Sequence, residues 1–146
     1  MSGDVRELPE GETALAAAAL LALRPHLGDV AALVARADAQ RAAGYRVAGS
    51  FEPGEQEAAA AAGFRVGDNL GWGRFLYVDD LATLPGHLGR GHGGALMRWL
   101  EAEARRQGCD ELHLDSGVGP ERADAHRFYF RHRLRIRSYH FARELP

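Results

Sequence analysis

The sequence predicts an α/β (α+β) fold with a mixed, mainly antiparallel twisted sheet of about six strands, flanked by about four helices. Two observations predict it: segments of alternating apolar residues recur along the chain, and stretches with helical spacing lie between them. A third is the strand-like segment from Phe75 to Thr83, which leads through glycines into an amphipathic helix. No repeat, linker or composition shift divides the 146 residues, so a single domain over residues 1–146 is expected.

Two helices are expected early in the chain, after a short opening strand from Asp4 to Leu8. The first runs from about Thr13 to Leu23 and ends because Pro25 cannot continue a helix. Asp29 is a typical N-cap residue for the second helix, and Gly44 suits the conformation that ends one. Apolar residues of the second helix recur at helical spacing, at Val30, Leu33, Val34 and Ala37.

Strands dominate the middle of the chain. Alternating residues from Tyr45 to Phe51 predict one strand, and Ala58 to Val66 is expected to be its hairpin partner across a turn at Pro53-Gly54. The segment Phe75–Val78 has the aromatic and aliphatic composition of a strong strand.

The last third is expected to hold a helix, a strand, a second helix and a second strand. The first helix spans Ala95 to Gln107, with Gly108 just after its end. Glu111 to Asp115 alternates as a strand, Arg122 to His132 forms a short helix, and Arg135 to Phe141 forms the last strand.

The composition is that of a soluble globular protein. Apolar residues make up 46% and charged residues 26%, and the net charge of −2 argues against a general nucleic-acid or membrane-surface binder. Cys109, the one cysteine, cannot form an internal disulfide, which favours a reducing compartment. The N-terminus lacks a charged-then-apolar leader, and Ala14 to Leu23 is too short to span a bilayer, so a cytoplasmic location is expected.

The most informative motif is the run LGRGHGGAL at residues 88–96. Glycines let the backbone approach a ligand and direct its N–H groups at it, and the N-terminus of the following helix adds positive potential. Arg90 supplies a charged group for the same ligand. The run therefore predicts a phosphorylated ligand, and a diphosphate best of all.

Two nucleotide-binding interpretations fit less well. The glycines match a dinucleotide fingerprint formally, but Pro85–Leu88 separates them from the strand and only 31 residues follow Asp115. No Lys-Ser or Lys-Thr pair follows the glycines, as a nucleoside-triphosphate loop would require.

Three segments carry a resemblance to a known family. The first joins VDDLAT at residues 78–83, Pro85, the glycine run and the sequence ALM at residues 95–97. The others are LDSG at residues 114–117 and AHRFY at residues 125–129. Together they resemble the acetyl-CoA motif, the next strand and the next helix of the GCN5-related N-acetyltransferases (GNAT family). The order of elements fits nearly the whole chain, while the matching motifs lie within residues 75–141.

The resemblance implies acetyl transfer from acetyl-CoA, a co-substrate, to a primary amine by direct attack in a ternary complex, with no metal. It implies that Tyr129 donates a proton to the leaving thiolate. It also implies an opening between strands around residues 80–83, where backbone N–H groups stabilise the oxyanion and the strand pairs with the pantetheine amides. The cofactor-binding residues that it implies are Leu81, Ala82, Thr83, Leu88, Gly89, Arg90, Gly91, His92, Gly93, Gly94, Arg122, Ala125 and Phe128.

Several acids are candidates for the general base. Asp79 and Asp80 are neighbours on one strand, so their side chains are expected to face opposite ways, with at most one directed at the amine. An ordinary carboxylate, with a pKa of about 4, needs burial or a water relay to take a proton from an ammonium. Glu55, Glu57 and the histidines are alternative bases.

Two positions depart from the family pattern. Leu88 stands where the loop usually opens with arginine or glutamine, and it has no donor, so Arg90 or His87 is expected to compensate. Arg133-Leu134 replaces the usual Gly-Phe pair, at a position that often needs a positive φ, so a local turn different from the family's is compatible with the sequence.

Other functions fit parts of the sequence. A degenerate module that binds acyl-CoA, or forms a dimer, without turnover would account for Leu88 and Arg133. Arginines and aromatic residues alternate over residues 127–139, as on a single-strand nucleic-acid surface, but the helix and strand periods scatter the arginines over several faces. His113 and Asp115 share a strand face but have no third ligand to predict a metal site. The expected partner is a small-molecule or peptide amine, not nucleic acid or membrane, and a homodimer is compatible with the sequence.

Overall fold

The computed structural model describes residues 3–146, which form two compact units, residues 3–114 and Asp115–Pro146. The first unit holds a five-stranded sheet and three α-helices, and the second holds one α-helix. In the described part of the chain, none of the helices has both the length and the apolar character needed to cross a membrane.

The sheet of the first unit has the strand order β1-β2-β3-β4-β5. The first three pairs of neighbours are antiparallel, and β4 and β5 are parallel. The predicted mixed, mainly antiparallel sheet is therefore confirmed. The strands are β1 (Asp4–Leu8), β2 (Arg46–Phe51), β3 (Ala60–Asn69), β4 (Gly73–Thr83) and β5 (Glu111–Leu114).

Three α-helices flank this sheet: α1 (Ala17–Leu23), α2 (Val30–Gln40) and α3 (His92–Arg106). A 3₁₀ turn leads into α1, so the first predicted helix is present as two joined pieces. The Asp29 carboxylate caps α2 by accepting the Ala32 N–H at 2.9 Å, as its position in the sequence predicts.

The apolar core lies on both faces of the sheet. Successive side chains of β2 point to opposite faces of the sheet. Val47 packs with α1 and α2, whereas Ala48 packs with α3. The alanines of β3 are fully buried between these layers, where small side chains let helices approach the sheet from both sides. This burial explains how a strand forms from a run of residues with low intrinsic β-propensity.

The second unit contains α4 (Ala123–Arg131), preceded by a 3₁₀ turn. The Leu134 N–H donates to the Tyr129 carbonyl oxygen at 3.1 Å and closes the helix end. Arg133, just before Leu134, has a φ of 65°. Arg133 thus keeps the positive φ that this position of the family pattern often needs, although its side chain disfavours it, and the turn does not differ in this respect.

The strand predicted from Arg135 to Phe141 is wrong, because residues 132–146 contain no helix or strand. Three of its large apolar side chains are exposed, with Ile136, Tyr139 and Phe141 showing 75%, 86% and 92% of their surface. Alternation alone does not form a strand, since a strand needs a neighbour to accept its backbone hydrogen bonds. The sheet consequently has five strands and not six.

Candidate active site

In the first unit, β4 extends beyond the end of its parallel neighbour, β5. The pairing with β5 covers Phe75 to Val78, and β5 ends at Leu114. Residues 80–83 pair with β3 on one side and have no strand on the other among the described strands. The opening predicted around residues 80–83 therefore begins just after Val78, and it leaves the backbone groups of Leu81 and Thr83 along an unpaired edge. Those of Ala82 point towards β3, as does the Leu84 N–H that donates to the Ala59 carbonyl oxygen.

α3 begins within the glycine run, earlier than the sequence predicts. Gly89 and Gly91 have φ values of 78° and 87°, in the region that glycine adopts without strain. α3 starts at His92 and not at Ala95, so Gly93 and Gly94 lie in its first turn. Among residues 3–146, no side chain caps this helix end. The first N–H groups of α3 are thus free of a capping side chain, and such groups can bind an anion.

Arg90, the predicted clamp for a diphosphate, is paired with a carboxylate of the same chain. Its Nη1 lies 2.8 and 3.0 Å from the two carboxylate oxygens of Glu52. The Nε2 atom of His92 lies 3.2 Å from the same carboxylate, and its Nδ1 lies 2.8 Å from Ser50 Oγ. The hydrogen bond from Arg90 lowers the pKa of Glu52.

The two residues just before the glycines have different surroundings. Leu88 is 67% exposed, and its side chain has no polar atom to offer a ligand. His87 has a buried Nδ1 with no hydrogen-bond partner in the described chain. Its ring lies edge-on to His92, with 6.2 Å between centroids.

A β-bulge places both candidate bases on the same face of β4. Gly63 of β3 lies opposite Asp80 and Phe64 lies opposite Val78, so Asp79 is the extra residue. Asp79 and Asp80 line one cavity, and the expectation that they face opposite ways is wrong. The extra residue shifts the alternation by one position, a change that the local sequence does not reveal.

Both carboxylates are already hydrogen-bonded. Arg65 donates to Asp79, with 2.7 Å between Nη2 and Oδ2. Asp80 accepts from Arg24 Nε at 2.9 Å and from the Tyr45 hydroxyl at 2.8 Å. Burial of Tyr45, together with the nearby Asp80 charge, raises the pKa of this hydroxyl, so it remains a donor.

The sequence analysis did not single out Tyr45, Arg24 or Gly63 as site residues. Gly63 makes room for Tyr45, since a Cβ on it would lie 1.8 Å from the tyrosine oxygen. Tyr45 reaches a carboxylate 35 positions further along the chain, and Arg24 one 56 positions away. The only local signals were a glycine and a tyrosine within strand patterns, which do not predict so distant a contact.

The cavity beside these carboxylates has a volume of about 320 Å³. Its floor is β4, and its walls come from α1, α2 and the turn between them. The apolar part of the wall includes Leu20, Leu33 and Ala37. A mixed apolar and charged lining on this scale is typical of a small-molecule site.

The second unit carries the remaining predicted residues. Tyr129 is half-buried on α4, and its ring meets that of Phe128 edge-on at 5.9 Å. Arg122 and Ala125 are also half-buried, at and near the start of the helix. His126 Nε2 lies 2.8 Å from the Gly117 carbonyl oxygen, which holds the preceding loop to α4.

Of the alternative bases, Glu55, Glu57 and His113 do not line the cavity beside β4, whereas His26 does. Glu55 and Glu57 are exposed. His113 hydrogen-bonds Glu111 at 2.8 Å and stacks on Trp72, with 3.6 Å between centroids. Within residues 3–146, no three His, Cys, Asp or Glu side chains are grouped to hold a metal ion.

Comparison with known proteins identifies the family. The acetyltransferase (GNAT) family pattern matches residues 13–133, most of the chain. The chain therefore belongs to the acetyltransferase (GNAT) family, as the motifs predict, and acetyltransferase is the class of enzyme shown for it.

Individual relatives agree with this assignment. Aminoalkylphosphonate N-acetyltransferase of Salmonella typhimurium is 34% identical over 68 residues, which are 47% of this chain and 43% of that protein. The match thus spans less than half of that relative. Glucosamine-6-phosphate N-acetyltransferase from Arabidopsis thaliana has a similar structure, with a TM-score of 0.77, 16% identity and complete coverage of both chains. AAC(6')-Iy, solved with the bisubstrate analogue CoA-S-monomethyl-acetylneamine, has a TM-score of 0.78, 17% identity and 98% coverage of each chain. These two structures are similar in fold.

Proposed function

We propose that the protein transfers the acetyl group of acetyl-CoA to the primary amine of a small molecule, by direct attack in a ternary complex. The observation that carries the proposal is the continuous path from the unpaired edge of β4, through the glycine run, to the uncapped start of α3. The strand edge offers hydrogen bonds to the amides of a pantetheine arm, and the helix start offers N–H groups to a diphosphate.

Coenzyme A would lie along this path. Leu81 and Thr83 would hold the arm through their backbone, with Ala82 between them, while Gly89 to Gly94 would surround the diphosphate. Arg90 would exchange Glu52 for the diphosphate, a stronger partner because it carries more charge. Leu88 would contribute only its backbone. Arg122, Ala125 and Phe128 are proposed cofactor contacts from their match to the family motif.

The acceptor is proposed to enter the cavity beside Asp79 and Asp80. The amine nitrogen attacks the thioester carbonyl, a C–N bond forms, and the C–S bond breaks as coenzyme A leaves. Unpaired N–H groups of β4 would stabilise the oxyanion. The two carboxylates would attract the ammonium and take its proton through water. Tyr129 would protonate the departing thiolate, a role that rests on its match to the family motif.

The test is release of free thiol from acetyl-CoA against a broad panel of amines, combined with calorimetry of coenzyme A. The kinetics should give intersecting lines, as direct attack requires, and not the parallel lines of a covalent intermediate. Tyr129→Phe should lower kcat by about a hundredfold and leave acetyl-CoA affinity nearly unchanged. Tyr139→Phe, which removes the hydroxyl of an 86% exposed tyrosine, is the matched control.

The outcomes separate the proposal from its alternative. Coenzyme A that binds and raises the melting temperature, with no thiol released from any amine, would indicate a binding module without turnover. Unchanged kcat in Tyr129→Phe would remove that tyrosine from its role but not the activity. The absence of heat with coenzyme A would contradict the proposal as a whole.

A further inference from the structure

We infer that the acceptor carries an anionic oxyacid group (a carboxylate, phosphate or phosphonate) in addition to its amine, and that Arg36 binds this group. The inference rests on the proposed acetyl transfer and adds the class of its substrate. It comes from the charges that line the cavity beside β4.

The two carboxylates of the cavity already have cationic partners. Asp79 is ion-paired with Arg65 at 2.7 Å, and Asp80 with Arg24 at 2.9 Å. Both pairs are partly buried at the carboxylate end, with 24% and 16% of the Asp79 and Asp80 side chains exposed. The negative charge of this end is therefore matched within the protein.

Arg36 adds a cation that these carboxylates do not match. It lies on α2 between Leu33 and Ala37, on the helix stripe that faces the cavity, and it lines the cavity wall. In the described chain it makes no ion pair or hydrogen bond. His26, on the turn before α2, lines the same cavity and has no such partner in residues 3–146 either.

The cavity thus offers carboxylates along β4 and unmatched basic groups from α2 and the turn before it. A guanidinium presents two parallel N–H groups, which fit the paired oxygens of a carboxylate, phosphate or phosphonate. An acceptor with an amine and an oxyanion would place its amine beside the carboxylates and its oxyanion at Arg36, the cation without a partner in residues 3–146. A polyamine would instead bring a second positive charge towards Arg36, and a volume of about 320 Å³ favours a small molecule over a peptide.

The experiment compares acceptors that differ only in their head group. 3-Aminopropylphosphonate, 4-aminobutyrate and 4-aminobutanol share an amine on a carbon chain, and each is repeated with shorter and longer chains. Calorimetry on the protein saturated with coenzyme A measures binding, and thiol release from acetyl-CoA measures kcat/KM. The two anionic head groups distinguish a phosphonate or phosphate acceptor from a carboxylate acceptor.

Arg36→Gln is compared with Arg105→Gln, which removes the same charge from an exposed position in the last turn of α3. We expect wild type and Arg105→Gln to prefer at least one anionic acceptor over its neutral counterpart by about tenfold or more. In Arg36→Gln the ratio between the values for the anionic and the neutral acceptor should fall towards one. Arg36→Lys, which keeps the charge but loses the two parallel N–H groups, should fall in between.

Equal binding of anionic and neutral acceptors to the wild type would overturn the inference, as would a preference that survives in Arg36→Gln. Failure of every compound to bind would overturn it too. If anionic acceptors bind through Arg36 but no acetyl-CoA is consumed, the inference holds and the proposed transfer fails. The binding and turnover measurements therefore distinguish the two.

Discussion

Glu52 holds Arg90 by both carboxylate oxygens, at 2.8 and 3.0 Å, immediately before the start of α3. The arginine proposed to bind the cofactor diphosphate is therefore paired with an anion of its own chain. Glu52 is anchored in turn, since its carboxylate also meets the buried imidazole of His92. A diphosphate would compete with a carboxylate that is already in place.

Glu52→Gln should bind coenzyme A more tightly, by about fivefold, because the competing charge is gone and Arg90 is released. Calorimetry with coenzyme A measures the change. Glu55→Gln is the matched control, since it removes the same charge from a nearby exposed side chain. Equal or weaker binding by Glu52→Gln would show that Glu52 positions Arg90 for the ligand instead of competing with it.

Gly63→Ala should destabilise the protein by about 1–3 kcal/mol, because the new methyl group overlaps the Tyr45 hydroxyl and forces it away from Asp80. Urea unfolding gives the loss. Gly71→Ala is the control, since its Cβ would meet nothing closer than 3.8 Å, and it should change stability by less than about 0.5 kcal/mol. Equal stability of the two variants would contradict the assigned packing.

Arg133→Gly should stabilise the second unit by up to about 1 kcal/mol, since glycine adopts a φ of 65° without the strain that a Cβ brings. The measurement is the melting temperature, which should rise. Arg131→Gly, at the last helical position of α4, should lower it because glycine is a weaker helix former than arginine. A fall in both variants would mean that the Arg133 side chain has a stabilising role greater than its strain.

We expect the free energy of unfolding to depend on pH through the carboxyl group of Asp38. Hydrogen bonds from Thr13 Oγ1 (2.6 Å) and Arg41 Nε (2.9 Å) lower its pKa below the ordinary value of 3.8. A pKa that is lower in the folded state adds stability that is fully present above the unfolded pKa and is lost as the pH falls through the folded pKa.

Asp38→Asn should therefore be less stable than wild type at about pH 7, and the difference should shrink as the pH falls below the ordinary carboxyl range. Urea midpoints measured at several pH values test this. Asp124→Asn, on a fully exposed side chain, controls for the removal of one negative charge. A difference from wild type that stays constant with pH would contradict the assignment.

The sequence predicted the features that depend on local patterns. The N-cap at Asp29 was confirmed, as was the strand leading to Thr83, because short-range backbone preferences decide both of them. The start of α3 was placed late because glycines at residues 93 and 94 lower helix propensity, although the helix includes them.

Features that depend on contacts between distant residues were not predictable in this way. The strand expected at Arg135–Phe141 failed since alternation describes a surface and not the neighbour that must pair with it. The hydrogen bond between Tyr45 and Asp80 needs three strands in register and a glycine between them, which only the assembled sheet provides.

The bulge at Asp79 decides which side chains of β4 face the cavity and which pack with α3. Val78, before the bulge, packs with α3, and so does Leu81 after it. These residues are three positions apart, whereas regular alternation puts residues two or four positions apart on the same face. A regular pairing of the same residues, without the bulge, would put Asp80 on the side that packs with α3 and Leu81 on the side of the cavity. The bulge at Asp79 therefore keeps both carboxylates of β4 on the side of the cavity, and Leu81 on the side that packs with α3.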